Sequence, residues 1–156
     1  MWLPVTSFLI GDTFFLRPSP YMTVTEPGNG DDIICVAAYD YRNDSIYLNS
    51  SRGFSANNNI VPTLAAPGVN IRGPVPGGNY TTRSGTSIAA AHTCGACALF
   101  LQWAVVLKNV PFINGIGVKN YLIRGTRRSS PLEYPNPEWG YGILDLYNVF
   151  ESLTTI

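Results

Sequence analysis

The chain has 156 residues, of which 46% are hydrophobic and 13% are charged, and its ten basic and ten acidic side chains give a formal net charge of zero. This length suits one ordinary domain, and the apolar content can fill a core, which excludes a chain that is disordered throughout. A neutral balance gives no reason to expect nucleic acid or an anionic membrane surface as a partner.

The first elements in chain order are short and extended. Residues 2–6 alternate between apolar and polar side chains as a strand does, and residues 12–16 predict a second short strand. The proline-rich sequence RPSP at 17–20 then interrupts the chain as a linker would. These patterns favour a boundary between residues 1–17 and residues 18–156.

The remainder predicts an α/β fold. Extended pieces are expected at 32–40, 45–48, 62–65 and 69–71. Three helices are expected at 86–108, 117–124 and 143–153. The nearly apolar stretch at 94–107 is interrupted by Gln102 and is short for a membrane span, so we interpret it as part of a buried helix and expect no membrane partner.

The sequence SGTS at 84–87 places Ser87 in the first turn of the longest predicted helix. Free backbone N–H groups and the positive end of the helix dipole favour negative charge there. An acyl-transfer nucleophile needs this setting, with an exposed Oγ and N–H donors directed at the developing oxyanion. The alternative is that Ser84, Thr86 or Ser87 merely caps a core helix, and the residue types alone leave both interpretations open.

His92 is the only histidine of the chain and follows Ser87 by five residues. On a helix this spacing is about 140° around the axis and about 7.5 Å along it, so His92 should not reach the Ser87 hydroxyl as a base. We therefore predict that His92 is a structural residue of the helix.

No metal site or cofactor is evident. Residues 92 and 94 are about 200° apart on a helix, so His92 and Cys94 cannot bind one ion. Cys94 and Cys97 share a face, where we expect them to pack as small apolar side chains. Glu133 and Glu138 have no partner at ligand spacing and are expected to be solvated loop residues.

Four motifs in a fixed order resemble those of the subtilisin-like serine proteases, the subtilases. The serine block Gly85-Thr86-Ser87 precedes a run of small apolar residues, and the other three motifs are IICVAA at 33–38, APGV at 66–69 and GYGILD at 140–145. The resemblance extends over residues 20–153 and implies the C-terminal portion of the subtilisin-like three-layer fold with a parallel sheet. It also implies that Ser87 is the nucleophile and that its backbone N–H is half of the oxyanion hole.

Within this family the chain is most similar to the Csp-type germination subtilases of clostridia and their relatives. The similarity is carried by residues 2–16, by YTTRS at 80–84 and by KNYLIRG at 119–125. It implies that residues 1–17 are the tail of an inserted β-sandwich (jelly-roll) domain and that residues 18–156 are the C-terminal part of the catalytic domain. A role in spore germination, and a spore-associated or secreted location, follow only from this resemblance.

The resemblance also indicates what the chain lacks. In the family the catalytic aspartate and histidine and the oxyanion-hole asparagine lie upstream of the serine, and nothing before Ser87 matches them. We therefore expect this chain to be inactive alone and to need the missing N-terminal half of the domain as a partner. Its substrate would be a peptide or protein. Residues 23–28 resemble the segment that floors the S1 pocket, which implies substrate contacts from Thr25, Glu26, Gly85 and Thr86.

Two alternatives remain. One is a pseudoprotease, a binding or signalling module of the Csp germination type that keeps the fold and has lost triad residues; the intact Gly85-Thr86-Ser87 favours a protease. The other is a stand-alone α/β domain, which the strand-like start of the chain and the lack of half a subtilase core argue against. For the isolated chain we expect poor solubility or partial unfolding, because strands would lack their partners.

Overall fold

The fold was analysed in a computed structural model that describes residues 8–154. In chain order its elements are β1 (Val36–Asp40), β2 (Ser45–Ile46), β3 (Leu64–Pro67), β4 (Ile71–Val75), β5 (Asn79–Arg83), α1 (Thr86–Leu101), α2 (Gly115–Arg124) and α3 (Leu146–Thr154). A π-helical turn, Gln102–Val106, continues α1, and its wide geometry is seen in the bond from Leu107 N–H to the Gln102 carbonyl at 3.0 Å.

The two longer strands of the main sheet are parallel. β1 pairs with β3 in the register Val36↔Leu64 to Tyr39↔Pro67, and β2 pairs antiparallel with the end of β1. Both parallel strands are almost entirely buried, as expected for a strand that is covered on its faces. β4 and β5 form a separate antiparallel hairpin, and Gly77 and Gly78 in its loop have φ of 88° and 76°.

The core lies between this sheet and the three helices. Ala38 on β1, Ala66 on β3 and Ala89 on α1 have no exposed surface, so the helix approaches the sheet over small side chains. Further along α1, larger side chains fill the space towards α2 and α3; the fully buried ones are Leu64, Phe100, Leu122 and Val149. The first turn of α1 is thereby fixed against the ends of β1 and β3.

Most of the predicted elements are present, but several differ: β1 begins at Val36 rather than at 32, and β4 shares only Ile71 with the extended piece predicted at 69–71. Residues 12–16 form no strand, and residues 2–6 lie outside the described residues, so the prediction of an inserted domain over 1–17 stays a prediction. The hairpin strand β5 was not predicted. The last helix begins at Leu146 rather than 143, because Ile143 pairs with Ala65 and Arg127 as a strand residue and Asp145 Oδ1 accepts the Asn148 N–H as a helix cap.

One face of α1 is exposed although it is apolar. The exposed residues include Ala90, Ala91, Cys94, Ala98 and Leu99. By length and composition alone the continuous helical stretch Thr86–Val106 could cross a membrane, a test that the core helix of a soluble protein also passes. The helix is thus covered by the described residues on one side only.

The close contact between α2 and α3 predicts the effect of two glycine substitutions. At Gly125 an added Cβ would stand 2.7 Å from Val149 N and 2.8 Å from Val149 Cα, whereas nothing lies within 4 Å of the same position at Gly115. We expect Gly125→Ala to lower the free energy of unfolding by about 1–3 kcal/mol, since overpacked backbone must move. Gly115→Ala, at the other end of the same helix, is the matched control. Urea denaturation of the full-length protein measures both, and equal midpoints would contradict the packing described.

Candidate active site

The serine block forms the start of α1. Ser87 is the second residue of the helix and is exposed, and Gly85 occupies the position before the helix with φ 157° and ψ 159°, a conformation that L side chains rarely adopt. The N–H groups of Ile88 and Ala89 donate to the Gly85 carbonyl at 3.1 and 3.4 Å. Among the described residues the N–H groups of Thr86 and Ser87 have no acceptor, so they remain available to an anionic ligand.

None of the three hydroxyls caps the helix, so the capping interpretation is wrong. The helix start has no side-chain cap hydrogen bond. Ser84 Oγ instead accepts the N–H of Asn70 at 2.8 Å, which ties the strand before the helix to the turn after β3. Ser87 Oγ has no hydrogen-bond partner among the described residues. The hydroxyl is therefore free for chemistry and is not used by the fold.

A glycine contact fixes the position of this helix start. The N–H of Gly85 donates to the Gly68 carbonyl at 2.8 Å, and the N–H of Gly68 donates to the Tyr39 carbonyl of β1 at 3.0 Å. A Cβ on Gly68 would stand 2.7 Å from Ala38 Cβ and 2.9 Å from the Gly85 oxygen. Only glycine at position 68 lets the sheet and the serine turn approach this closely.

His92 does not serve Ser87. Its Nδ1 lies 3.1 Å from the carbonyl oxygen of Ile88 on its own helix, and the side chain is exposed. The ring lines a largely apolar cavity of about 440 Å³ between α1 and the β4–β5 hairpin, together with Ile71, Val75 and Ile88. Among the described residues His92 has no hydrogen bond to Ser87, and its structural role stays a prediction.

The five predicted site residues fall in two places. Gly85, Thr86 and Ser87 stand together at the helix start. Thr25 and Glu26 lie in the loop before β1, where they line a cleft of about 570 Å³ together with Phe15, residues 17–19 and residues 21–24.

The comparisons with known proteins concern the family and the fold of the chain. The model of the subtilase family matches residues 18–142. The chain belongs to the subtilase family. An intracellular serine protease of Paenibacillus polymyxa is 36% identical over 126 residues, which are 80% of this chain and 35% of that protein. Bacillopeptidase F of Bacillus subtilis is 27% identical over 154 residues, 94% of this chain and 10% of that protein.

Solved structures show the same fold. The structure of the Clostridium perfringens CspB protease superposes with a TM-score of 0.88 at 38% identity and covers 92% of this chain and 32% of CspB. The maturation protease PagA, at 24% identity and a TM-score of 0.70, shares the fold. The fold is thus the C-terminal portion of the subtilisin-like α/β fold. The chain spans between a tenth and about half of the lengths of the subtilases named here.

The other chemical groups within residues 8–154 were predicted to be packed cysteines and solvated loop carboxylates. Among the described residues no three His, Cys, Asp or Glu side chains are close enough to hold an ion. Burial raises the pKa of the Cys97 thiol, as expected for a packed cysteine, whereas Cys94 is exposed and does not pack as predicted. Glu138 lies in a loop with its side chain 38% exposed, as expected, and its Oε1 also forms an ion pair with Arg52 Nε at 2.7 Å.

Sequence reasoning named the serine block and missed the residues that hold it. Gly68 was noted only as part of the APGV motif, and the bond between Ser84 and Asn70 joins residues 14 apart. The sequence around Gly68 does not show that a side chain at this position would clash. The clash arises because residues distant in the sequence pack against each other.

The contact between Gly68 and Gly85 predicts that Gly68→Ala lowers the reactivity of the Ser87 hydroxyl. The added methyl group would displace the Gly85 carbonyl and with it the helix start, and misplacements of about 1 Å at a reacting group cost about 100-fold in rate. We expect at least a tenfold slower covalent labelling of the full-length protein by a fluorophosphonate. Gly73→Ala on β4, where nothing lies within 4 Å of the added carbon, is the matched control. Unchanged labelling of Gly68→Ala would contradict the assignment of this contact.

Proposed function

We propose that this chain is the serine-bearing C-terminal segment of a subtilisin-like serine endopeptidase domain, with Ser87 as the acyl-forming nucleophile. The observation that carries the proposal is the serine block itself: an exposed hydroxyl and two backbone N–H groups lie at a helix start, and none of them has a hydrogen-bond partner within residues 8–154. Peptides or proteins are the proposed substrates, and Thr25, Glu26, Gly85 and Thr86 are the proposed substrate contacts.

The proposed chemistry is acyl transfer. Ser87 Oγ attacks the carbonyl carbon of the scissile peptide bond and gives its proton to a base, and the oxyanion that forms accepts the Ser87 N–H. The C–N bond then breaks as the amine takes the proton, and water hydrolyses the ester on Ser87. The ring of His92 is hydrogen-bonded to the Ile88 carbonyl of its own helix, so we propose that the base comes from another segment. Since loss of the histidine of a serine triad lowers kcat by about a millionfold, we propose that this chain alone is inactive.

The exposed apolar face of α1 favours a catalytic domain that is larger than this chain. The helix carries no charged residue and is apolar on every side, yet the described residues cover one side only. A helix of this composition is buried in a large core or in a membrane. Because the family fold makes it a core helix, we propose that the remaining half of the catalytic domain covers this face.

The Csp resemblance adds two proposals. Residues 1–17 are proposed to be the tail of an inserted β-sandwich, and the protein is proposed to act in spore germination. Both rest on the similarity to the Csp group, in which the CspB protease of Clostridium perfringens is 38% identical to this chain.

Covalent labelling tests the assignment of Ser87. We expect a fluorophosphonate probe to label the full-length protein, meaning this chain with the remaining catalytic-domain segments, and Ser87→Ala to abolish the signal, because the probe needs an activated hydroxyl. Ser130→Ala, in an exposed loop, should label as the unchanged protein does. Mass spectrometry of the labelled peptide gives the site. Labelling that persists in Ser87→Ala would refute the assignment, and a correctly folded protein that never reacts would indicate a pseudoprotease.

Cysteine alkylation tests the covering of α1. Cys94 lies on the exposed apolar face, and Cys97 is already half-buried in the core cluster. In the native full-length protein we expect iodoacetamide to modify Cys94 at least about tenfold more slowly than after denaturation in urea, since a covered thiol reacts only when the structure opens. Modification of native Cys94 at the denatured rate would show that nothing covers this face.

A further inference from the structure

The loop that carries Thr25 and Glu26 is a series of linked turns. The N–H of Gly28 donates to the Thr25 carbonyl at 2.9 Å, that of Gly30 to the Pro27 carbonyl at 3.1 Å, and that of Ile33 to the Gly30 carbonyl at 3.3 Å. Each turn shares its residues with the next, so a shift at the end of the series moves the whole loop. β1 begins three residues after Ile33.

A single lysine holds the end of this series. Lys119 Nζ donates to the carbonyl oxygen of Asp31 at 2.7 Å and to that of Ile33 at 3.1 Å, across 88 and 86 residues of chain. The ammonium forms no ion pair with a carboxylate among the described residues. A charged donor between two carbonyls forms shorter and stronger bonds than a neutral donor does.

Lys119 stands on a rigid support. It lies in α2, where its neighbour Val118 and the following Leu122 are buried in the core, and Asn114 Oδ1 caps the helix by accepting the Gly117 N–H at 2.8 Å. Because α2 is packed into the core, Lys119 holds the loop in a fixed position relative to the core.

The side chains around the loop extend this contact to Glu26. Asn59 Nδ2 donates to Asp31 Oδ1 at 2.8 Å and to the Asn29 carbonyl at 3.3 Å. Asn29 Nδ2 in turn donates to the Val24 carbonyl at 3.2 Å and to Glu26 Oε1 at 3.4 Å. A continuous set of hydrogen bonds thus runs from Lys119 to the Glu26 carboxylate.

We propose that Lys119 is a positioning residue for substrate binding: its ammonium bridges the Asp31 and Ile33 carbonyls and so fixes the loop of Thr25 and Glu26. The inference rests on the proposed function, in which this loop contacts the peptide substrate. Lys119 itself does not touch the reacting atoms. Its loss leaves Ser87 intact and loosens the substrate-contacting loop.

The test compares Lys119→Met with two variants in the full-length protein. The methionine keeps the length of the side chain and removes the charge and the donors, whereas Lys119→Arg keeps both. Lys108→Met, at the only other lysine, which is exposed, is the matched control. If Lys119→Met fails to fold, Lys119→Gln replaces it.

For Lys119→Met we expect kcat/KM on a peptide substrate to fall roughly 10- to 100-fold, mainly through KM, because the substrate is no longer held in place. Labelling by a small fluorophosphonate, which lacks the peptide, should change less than about twofold, since Ser87 is undisturbed. Lys119→Arg should regain most of the lost activity. Unchanged peptide kinetics would refute the proposal, and so would an equal fall in labelling and cleavage, which would show a general structural defect.

Amide hydrogen exchange separates this proposal from the proposed function. If the wild-type full-length protein neither reacts with the fluorophosphonate nor cleaves the peptide, the proposed function fails. Exchange of the loop amides still tests the positioning role of Lys119 in that case. We expect the Gly28, Gly30 and Ile33 amides to exchange about tenfold faster in Lys119→Met, because their turns open locally. Unchanged exchange at these amides would overturn the positioning role whatever the activity.

Discussion

The position of the serine depends on one close approach, between Gly68 and Gly85. The Gly68 backbone accepts from the serine turn and donates to the end of β1, so a short hydrogen-bonded path connects the parallel sheet to the start of α1. Ala38 and Ala89 contribute only methyl groups on either side of this path. Backbone hydrogen bonds alone hold the turn before the helix. The Ser87 hydroxyl and the first N–H groups of the helix therefore have no hydrogen-bond partner among the described residues.

The same helix carries Ser87 at its start and, along its length, an apolar face that the described residues leave exposed. A soluble fold seldom leaves such a face to water, and the matches of this chain cover only 35% of the Paenibacillus polymyxa protease and 32% of the CspB chain. In the proposed function, one neighbouring segment would supply both a base for Ser87 and a cover for the helix. The loop held by Lys119 is the proposed substrate-contacting part of the site within this chain.

Local patterns could be predicted from the sequence, and contacts between distant residues could not. The parallel strand at 36–40 and the helix that begins at Thr86 follow from apolar runs and small residues, and the four ordered motifs indicated the family. Periodicity does not reveal that Ser84 Oγ accepts the Asn70 N–H rather than capping the helix, since this donor lies in another part of the chain. The contact of Lys119 with the Asp31 carbonyl spans 88 residues and likewise has no sequence signal.

The central claim is that Ser87 attacks while its own N–H stabilises the oxyanion. A crystal structure of the full-length protein after reaction with a fluorophosphonate measures both at once. The account predicts phosphorus bonded to Ser87 Oγ and a phosphoryl oxygen within hydrogen-bond distance of the Ser87 N–H, with the contact between Gly68 and Gly85 unchanged. A phosphonate bonded to another residue, or a phosphoryl oxygen directed away from the helix start, would contradict it.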